Sequence, residues 1–195
     1  MSHPNPSRWQ LQKEKTFADC RIFSVHQETW KHPGDDRQGE FYVMHCPGWV
    51  NVLALTADRQ LVMVRQFRYG TRDLSLEIPG GLMEEGESPV ETGERELREE
   101  TGYVGASARV LASVHPNPAI QSNRCHLVLV EGVEKKAAIE WDGNEEMEVL
   151  TMPVDEVLEK AWNGEITHSL VIDALFYLQR FLAQGGKGSP LKGGG

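Results

Sequence analysis

Residues 81–103 read GLMEEGESPVETGERELREETGY, and this stretch decides the fold. A glycine-rich turn leads into a helix that the capping residues delimit at both ends. Ser88 suits the N-cap, Pro89 the first helical position, and Glu91 completes a capping box. Gly102 ends the helix, because glycine takes up the left-handed conformation of a helix C-terminus at little cost. Within the predicted helix, 88–101, Glu96 and Glu100 are four residues apart and lie about 40° from each other on one face. Glu99 shares that edge. Carboxylates crowded in this way repel one another unless a cation or an arginine answers them. Arg95 stands four residues before Glu99 and can pair with it, which leaves Glu96 and Glu100 for a metal. Hard oxygen donors suit Mg²⁺ or Mn²⁺. The turn Gly80-Gly81 can bring a backbone carbonyl to the same ion, since glycine permits close approach. Taken alone, the glutamates read equally as a solvated acidic face. Gly93 works against the helix by about 1 kcal/mol relative to alanine.

On the N-terminal side of this stretch the chain reads as strands. Segments 9–18, 21–29 and 40–46 alternate weakly around a turn at His32-Pro33-Gly34-Asp35-Asp36, which predicts a small antiparallel sheet. Pro47-Gly48 breaks the chain, and 50–56 and 61–67 follow as an apolar hairpin. A short strand at 74–78 ends at Pro79-Gly80-Gly81, read as a sharp loop. On the C-terminal side, 104–115, 125–131 and 148–152 read as strands, and 155–162 and 169–183 as helices. This order predicts an α+β fold with three domain segments: an N-terminal β subdomain over 1–47, a main domain over 48–184 and a flexible Gly-rich tail over 185–195.

The bulk composition narrows the function. The chain has 195 residues, 39% hydrophobic and 25% charged, enough for one good core. Its net charge of −9 argues against general binding to nucleic acid or to an anionic membrane. No apolar run is long enough to span a bilayer, and residues 1–8 lack a secretion signal. Cys20, Cys46 and Cys125 are odd in number and scattered, so a disulfide framework is not expected and a reducing cytoplasm is.

The spacings of residues 81–103 match the Nudix box, G-x5-E-x7-R-E-U-x-E-E-x-G-U with U aliphatic. Gly81, Glu87, Arg95, Glu96, Glu99, Glu100 and Gly102 take its fixed positions, and Tyr103 departs mildly at the last one. The chain therefore resembles the Nudix hydrolases. Leu76-Glu77-Ile78-Pro79-Gly80-Gly81 and Val64-Arg65-Gln66-Phe67-Arg68 are similar to the subfamily that cleaves ADP-ribose and other nucleoside diphosphate sugars. In ADP-ribose pyrophosphatases a proline typically stands sixteen residues beyond the last box glycine, and that position here is Pro118.

The resemblance implies an α/β/α sandwich with a mixed sheet, and an N-terminal antiparallel β subdomain exchanged across a homodimer. It implies that Glu96, Glu100 and the carbonyl of Gly80 bind Mg²⁺, with Mn²⁺ as a substitute, while Glu99 is a further ligand or is held by Arg95. Glu87 braces the loop against the helix. Metal ions neutralise the diphosphate and activate water for in-line attack. A base outside the box is implied as well. In the loop Asp142-Gly143-Asn144-Glu145-Glu146, Glu145 is the first choice and Glu146 the second, against the alternative of an exposed acidic turn.

Arg65 and Arg68 face the diphosphate or are surface charges, and Glu77 binds a ribose or an amine or caps the sheet. Trp49, Phe17, Phe23 and Trp30 are candidate platforms for the base, or core. His115, His126 and His168 read as structural. The expected substrate is ADP-ribose, with GDP-mannose or another sugar nucleotide as the alternative; a sensing domain without catalysis is the reading from another class.

Overall fold

The computed structural model describes residues 6–141, 143 and 145–186. Asp142 and Asn144 of the acidic loop, and most of the expected Gly-rich tail, lie outside the described residues. By contact, the chain divides into two compact units, Met1–Pro47 with Asn117–Asn123 and Gly48–Pro116 with Arg124–Gly195.

In the first unit, β1 (Gln10–Asp19), β2 (Ser24–Lys31) and β3 (Gln38–His45) form an antiparallel meander. Asn117–Asn123 joins it through the backbone: the Met44 N–H donates to Ile120 O at 2.7 Å and the Ser122 N–H to Met44 O at 3.1 Å. Pro118 therefore belongs to this unit, although it is far from it in sequence.

The second unit is built on a seven-stranded mixed sheet. Its strands are β4 (Trp49–Leu55), β5 (Gln60–Arg68), β6 (Asp73–Glu77), β7 (Gly80–Leu82), β9 (Ser107–Val114), β10 (Cys125–Glu131) and β12 (Met147–Pro153). The path runs β12-β5-β4-β10-β9, with β6 on β5 and β7 on β4. β4 and β10 are parallel, and the other pairs are antiparallel. A separate small ribbon pairs β8 (Tyr103–Val104) with β11 (Glu134–Lys135).

Strand alternation makes the layers. Val50, Val52 and Ala54 of β4 pack on one side with Val128, Val130 and Leu97, the last from α1 (Pro89–Thr101). Leu53 and Leu55 pack on the other side with Leu127, Leu129 and the apolar stripe of α3 (Ser169–Ala183): Leu170, Val171, Ala174, Leu175, Leu178 and Phe181. The short helix α2 (Val154–Trp162) adds Val154 and Val157 to that second core. The result is the expected α/β/α sandwich of an α+β fold, with the antiparallel N-terminal sheet present.

Two strand expectations change. Gly80–Leu82 is a short strand paired with β4, not a free loop. Glycine makes that pairing possible, because a Cβ on Gly80 would stand 2.2 Å from the Val50 carbonyl oxygen. The predicted strand 104–115 is two strands, broken around Gly105, where a Cβ would meet Val130 Cγ1 at 2.1 Å. Gly93 has its reason as well. It is buried, and a Cβ there would press on Val128 at 3.1 Å and Val50 at 3.3 Å, so the local helix cost allows α1 to lie close on the sheet.

Candidate active site

Helix α1 is placed by its caps. Ser88 Oγ accepts from the Glu91 N–H at 3.3 Å and Glu91 Oε2 from the Ser88 N–H at 2.8 Å. Gly102 closes the helix at φ 75°, and its N–H donates to Arg98 O. With both ends set, the acidic edge of α1 faces the glycine strand β7. Gly81 leaves room for this approach, since a Cβ there would lie 2.3 Å from Glu96 Oε1. The Gly80 N–H donates to Glu100 Oε2 at 3.0 Å.

Arg95 organises the edge. Its Nε and Nη2 donate to the two oxygens of Glu87 at 2.8 and 2.9 Å, and Nη2 also reaches Leu82 O at 3.1 Å. Nη1 donates to Glu96 Oε1 at 2.9 Å and to Glu99 Oε2 at 3.3 Å. Arg95 therefore pairs with Glu99 and holds Glu96 too, where sequence spacing had left Glu96 free. Glu87 ties loop to helix: besides Arg95 it accepts from Thr92 Oγ1 at 2.8 Å and from the Glu84 N–H at 3.1 Å. The Arg95 hydrogen bonds hold the Glu87 carboxyl down to about 2.

The remaining carboxyls move the other way. Burial pushes Glu100 up to about 8, the Gly80 N–H opposes this, and the charges of Glu96 and Glu145 add to it. Burial also raises Glu96, with Arg95 opposing and Glu99 and Glu145 repelling. Both shifts disfavour the ionised carboxylates, and a cation between them would relieve that cost. They border a cavity of about 550 Å³ whose lining includes Gly80, Gly81, Arg95, Glu96, Glu99, Glu100, Glu140 and Glu145.

Sequence reasoning missed Glu140 and its neighbour. The Glu140 N–H donates to Glu99 O at 2.8 Å, and Trp141 Nε1 donates to Glu100 O at 2.8 Å. Arg98 bridges Glu99 at 2.9 Å and Glu140 at 3.3 Å. Glu140 and Trp141 are thus strapped to the end of α1, a few residues before Glu145, which also lines the cavity. The one available signal was Trp141, an aromatic at the start of an acidic run.

The residues expected outside the box separate. Arg68 donates to Glu77 Oε1 at 2.8 Å and to Oε2 at 2.5 Å. Burial pushes the Glu77 carboxyl up, but Arg68 outweighs it and the net shift is down. The Glu77 hydrogen bonds raise Arg68, and the charges of Glu100 and Glu145 support it. Arg68, Glu77 and Trp49 border a second cavity of about 460 Å³, with His168 on its wall. Arg65 points to the surface, paired with Glu148 at 2.8 Å. Pro118 is exposed in the first unit. Phe17 lies edge-on to Tyr42 at 5.1 Å, and Trp30 Nε1 donates to Glu28 Oε2 at 2.7 Å. His126 Nδ1 lies 2.8 Å from Ser113 Oγ.

The family model for the NUDIX domain matches residues 47–174. An ADP-ribose pyrophosphatase of Bacillus subtilis (strain 168) is 33% identical over 175 residues, spanning 86% of this chain and 93% of that protein. A GDP-mannose pyrophosphatase of Cronobacter sakazakii (strain ATCC BAA-894) is 32% identical, over 62% of this chain and 67% of that protein. The crystal structure of an ADP compounds hydrolase superposes with a TM-score of 0.83 at 21% identity, over 95% of this chain and all of that one, which shows a shared fold.

Proposed function

Because this chain belongs to the NUDIX domain family and is a Nudix hydrolase, we propose that it hydrolyses the diphosphate bond of ADP-ribose or a related nucleoside diphosphate sugar, using Mg²⁺, to a nucleoside monophosphate and a sugar phosphate. The observation that carries the reading is the cavity in which Glu96, Glu99, Glu100 and Glu145 converge around Arg95 and the Gly80-Gly81 strand. The relative that cleaves ADP-ribose supports the substrate. GDP-mannose is the second reading, favoured by the pyrophosphatase of that specificity among the relatives.

The residues present fit a divalent cation. They offer hard oxygen donors, and two of the acids are raised by burial where a cation would relieve them. Glu96, Glu100 and the Gly80 carbonyl would hold it, with Glu99 as a further donor. When bound, the ion neutralises the diphosphate and lowers the pKa of water at the reacting phosphorus. Arg95 keeps Glu96 and Glu99 in place, and Glu87 keeps Arg95 in place. Glu145 takes the proton of the attacking water at its carboxylate. The water oxygen joins one phosphorus, and the bridging oxygen leaves with the other phosphate. Trp49, Arg68 and Glu77 receive the nucleoside or sugar in the second cavity.

The first unit serves as a dimer-forming subdomain in this reading. Phe17, Ile22, Phe41 and Tyr42 are all exposed on it, and a partner copy would cover them. Among the described residues no helix is long and apolar enough to cross a membrane.

The test is a substrate panel of ADP-ribose, GDP-mannose, UDP-glucose, a dinucleoside polyphosphate and nucleoside triphosphates, with Mg²⁺ or chelator. Metal-dependent release of a nucleoside monophosphate from a sugar nucleotide is expected. Cleavage of triphosphates with little action on sugar nucleotides would overturn the substrate class.

A further inference from the structure

The sheet of the first unit carries a second cluster of ligand-type side chains. Glu14 on β1, His26 on β2 and His45 on β3 place one ligand atom each within 4.8 Å of one another. Strand register explains the meeting. Glu14 stands opposite Glu28, His26 opposite Val43, and His45 opposite Ser24, so all share one face of the meander. His26 Nδ1 contacts Glu14 Oε1, and His45 Nε2 lies 3.0 Å from Glu28 Oε1 and 3.9 Å from Glu14 Oε1. The two imidazoles stack with centroids 4.0 Å apart.

Two carboxylates and two imidazoles meet on this face. Two glutamates directly opposite each other on antiparallel strands repel, and Glu28 is only 4% exposed. Among the described residues their polar partners are His26, His45 and Trp30, and no Lys or Arg forms an ion pair with either. Glu14, His26 and His45 converge, and Glu28, 3.0 Å from His45, would turn in as a fourth donor to complete a zinc-type site, whose ligand atoms lie about 3.3 Å apart when each is about 2.0–2.1 Å from the ion. Glu14, His26 and His45 are partly exposed, which leaves a path for an ion. Trp30 Nε1 on Glu28 Oε2 fixes the buried carboxylate from behind and leaves Oε1 for the ion.

We propose that Glu14, His26, Glu28 and His45 form a binding site for a divalent transition metal of the zinc type, which clamps the three strands of the first unit. The imidazoles splay from their stack so that His26 Nδ1 and His45 Nε2 meet the same ion. The site goes beyond the hydrolase reading, which places its own cation in the second unit.

The test uses the full chain carrying Glu96→Gln and Glu100→Gln, so that the acidic cavity does not compete. Stripped with chelator and titrated with Co²⁺ under excess Mg²⁺, this protein is expected to bind one equivalent with the strong visible absorption of four-coordinate Co²⁺. Zn²⁺ should displace it. Adding His26→Gln should weaken binding by about tenfold or more and remove the absorption. His45→Gln is the second variant and should do the same, with circular dichroism reporting the fold. A folded protein that shows no such absorption, or absorption that survives in both histidine variants, would overturn the site.

Discussion

The glutamates of α1 and the glutamates of the N-terminal sheet are both crowded, but they are held in different ways. On α1 one arginine touches two of them, Glu96 and Glu99, and ties both to Glu87 of the preceding loop, while glycines at Gly80 and Gly81 let a strand close over the helix face. On the sheet, Glu14 and Glu28 face two stacked imidazoles across three strands. The first arrangement is written in helical spacing within one segment. The second exists only once the strands are in register. Crowded acids ask for positive charge, and the neighbour supplying it sets the chemistry.

The α1 side of the comparison breaks hardest at Glu100. Glu100→Gln should keep the fold and lower kcat by more than about a hundredfold, because the proposed buried metal donor would be lost. Near-normal turnover in steady-state kinetics would remove Glu100 from the site. Glu145→Gln comes next, with kcat reduced by about 10² to 10⁴ while metal affinity, read by calorimetry, is retained. Unchanged rates would move the base elsewhere, with Glu140 an alternative that lines the same cavity.

Gly80→Ala probes the strand that closes over α1. The added methyl meets a backbone carbonyl, not a flexible side chain, and should cost about 1–3 kcal/mol in chemical denaturation. A variant as stable as wild type would mean that β7 is not held this tightly.

The loop brace can be tested with pH. Glu87 is held at about 2 against an ordinary 4.5, so its contribution to stability is complete above pH 4.5 and is lost as the pH falls through 2. Glu87→Gln should lower Tm at neutral pH and flatten the acid limb of the Tm profile. An acid limb identical to wild type would show that the Arg95–Glu87 pair does not contribute.

The smallest effect is expected on the sheet side. Phe17→Ser with Tyr42→Ser should shift the chain toward monomer in sedimentation equilibrium with little change in Tm, since both rings are exposed. An unaltered association state would remove these rings from the proposed dimer contact.

Much of this was legible in the sequence because the decisive contacts are local. The capping box, the Gly102 stop and the pairing of Arg95 with Glu99 all follow from spacings of three or four residues. The apolar stripe of α3 and the strand Cys125–Glu131 were likewise plain from their patterns. What was not legible depends on distant neighbours. Trp141 reaches the end of α1 from forty-one residues away. Arg65 is drawn off by Glu148 on β12, which no pattern near Arg65 signals. Gly93 reads as a defect until Val50 and Val128 are seen packed against it. Gly80–Leu82 looks like a loop because its pairing partner is the distant strand β4.

The most direct measurement follows AMP release from ADP-ribose by chromatography, first with Mg²⁺, then with chelator, then with Mg²⁺ restored. AMP and ribose 5-phosphate are expected in equal amounts, with cleavage abolished by chelation and full recovery when the metal returns. Cleavage that continues in chelator, or no AMP from any sugar nucleotide under Mg²⁺ or Mn²⁺, would contradict this expectation.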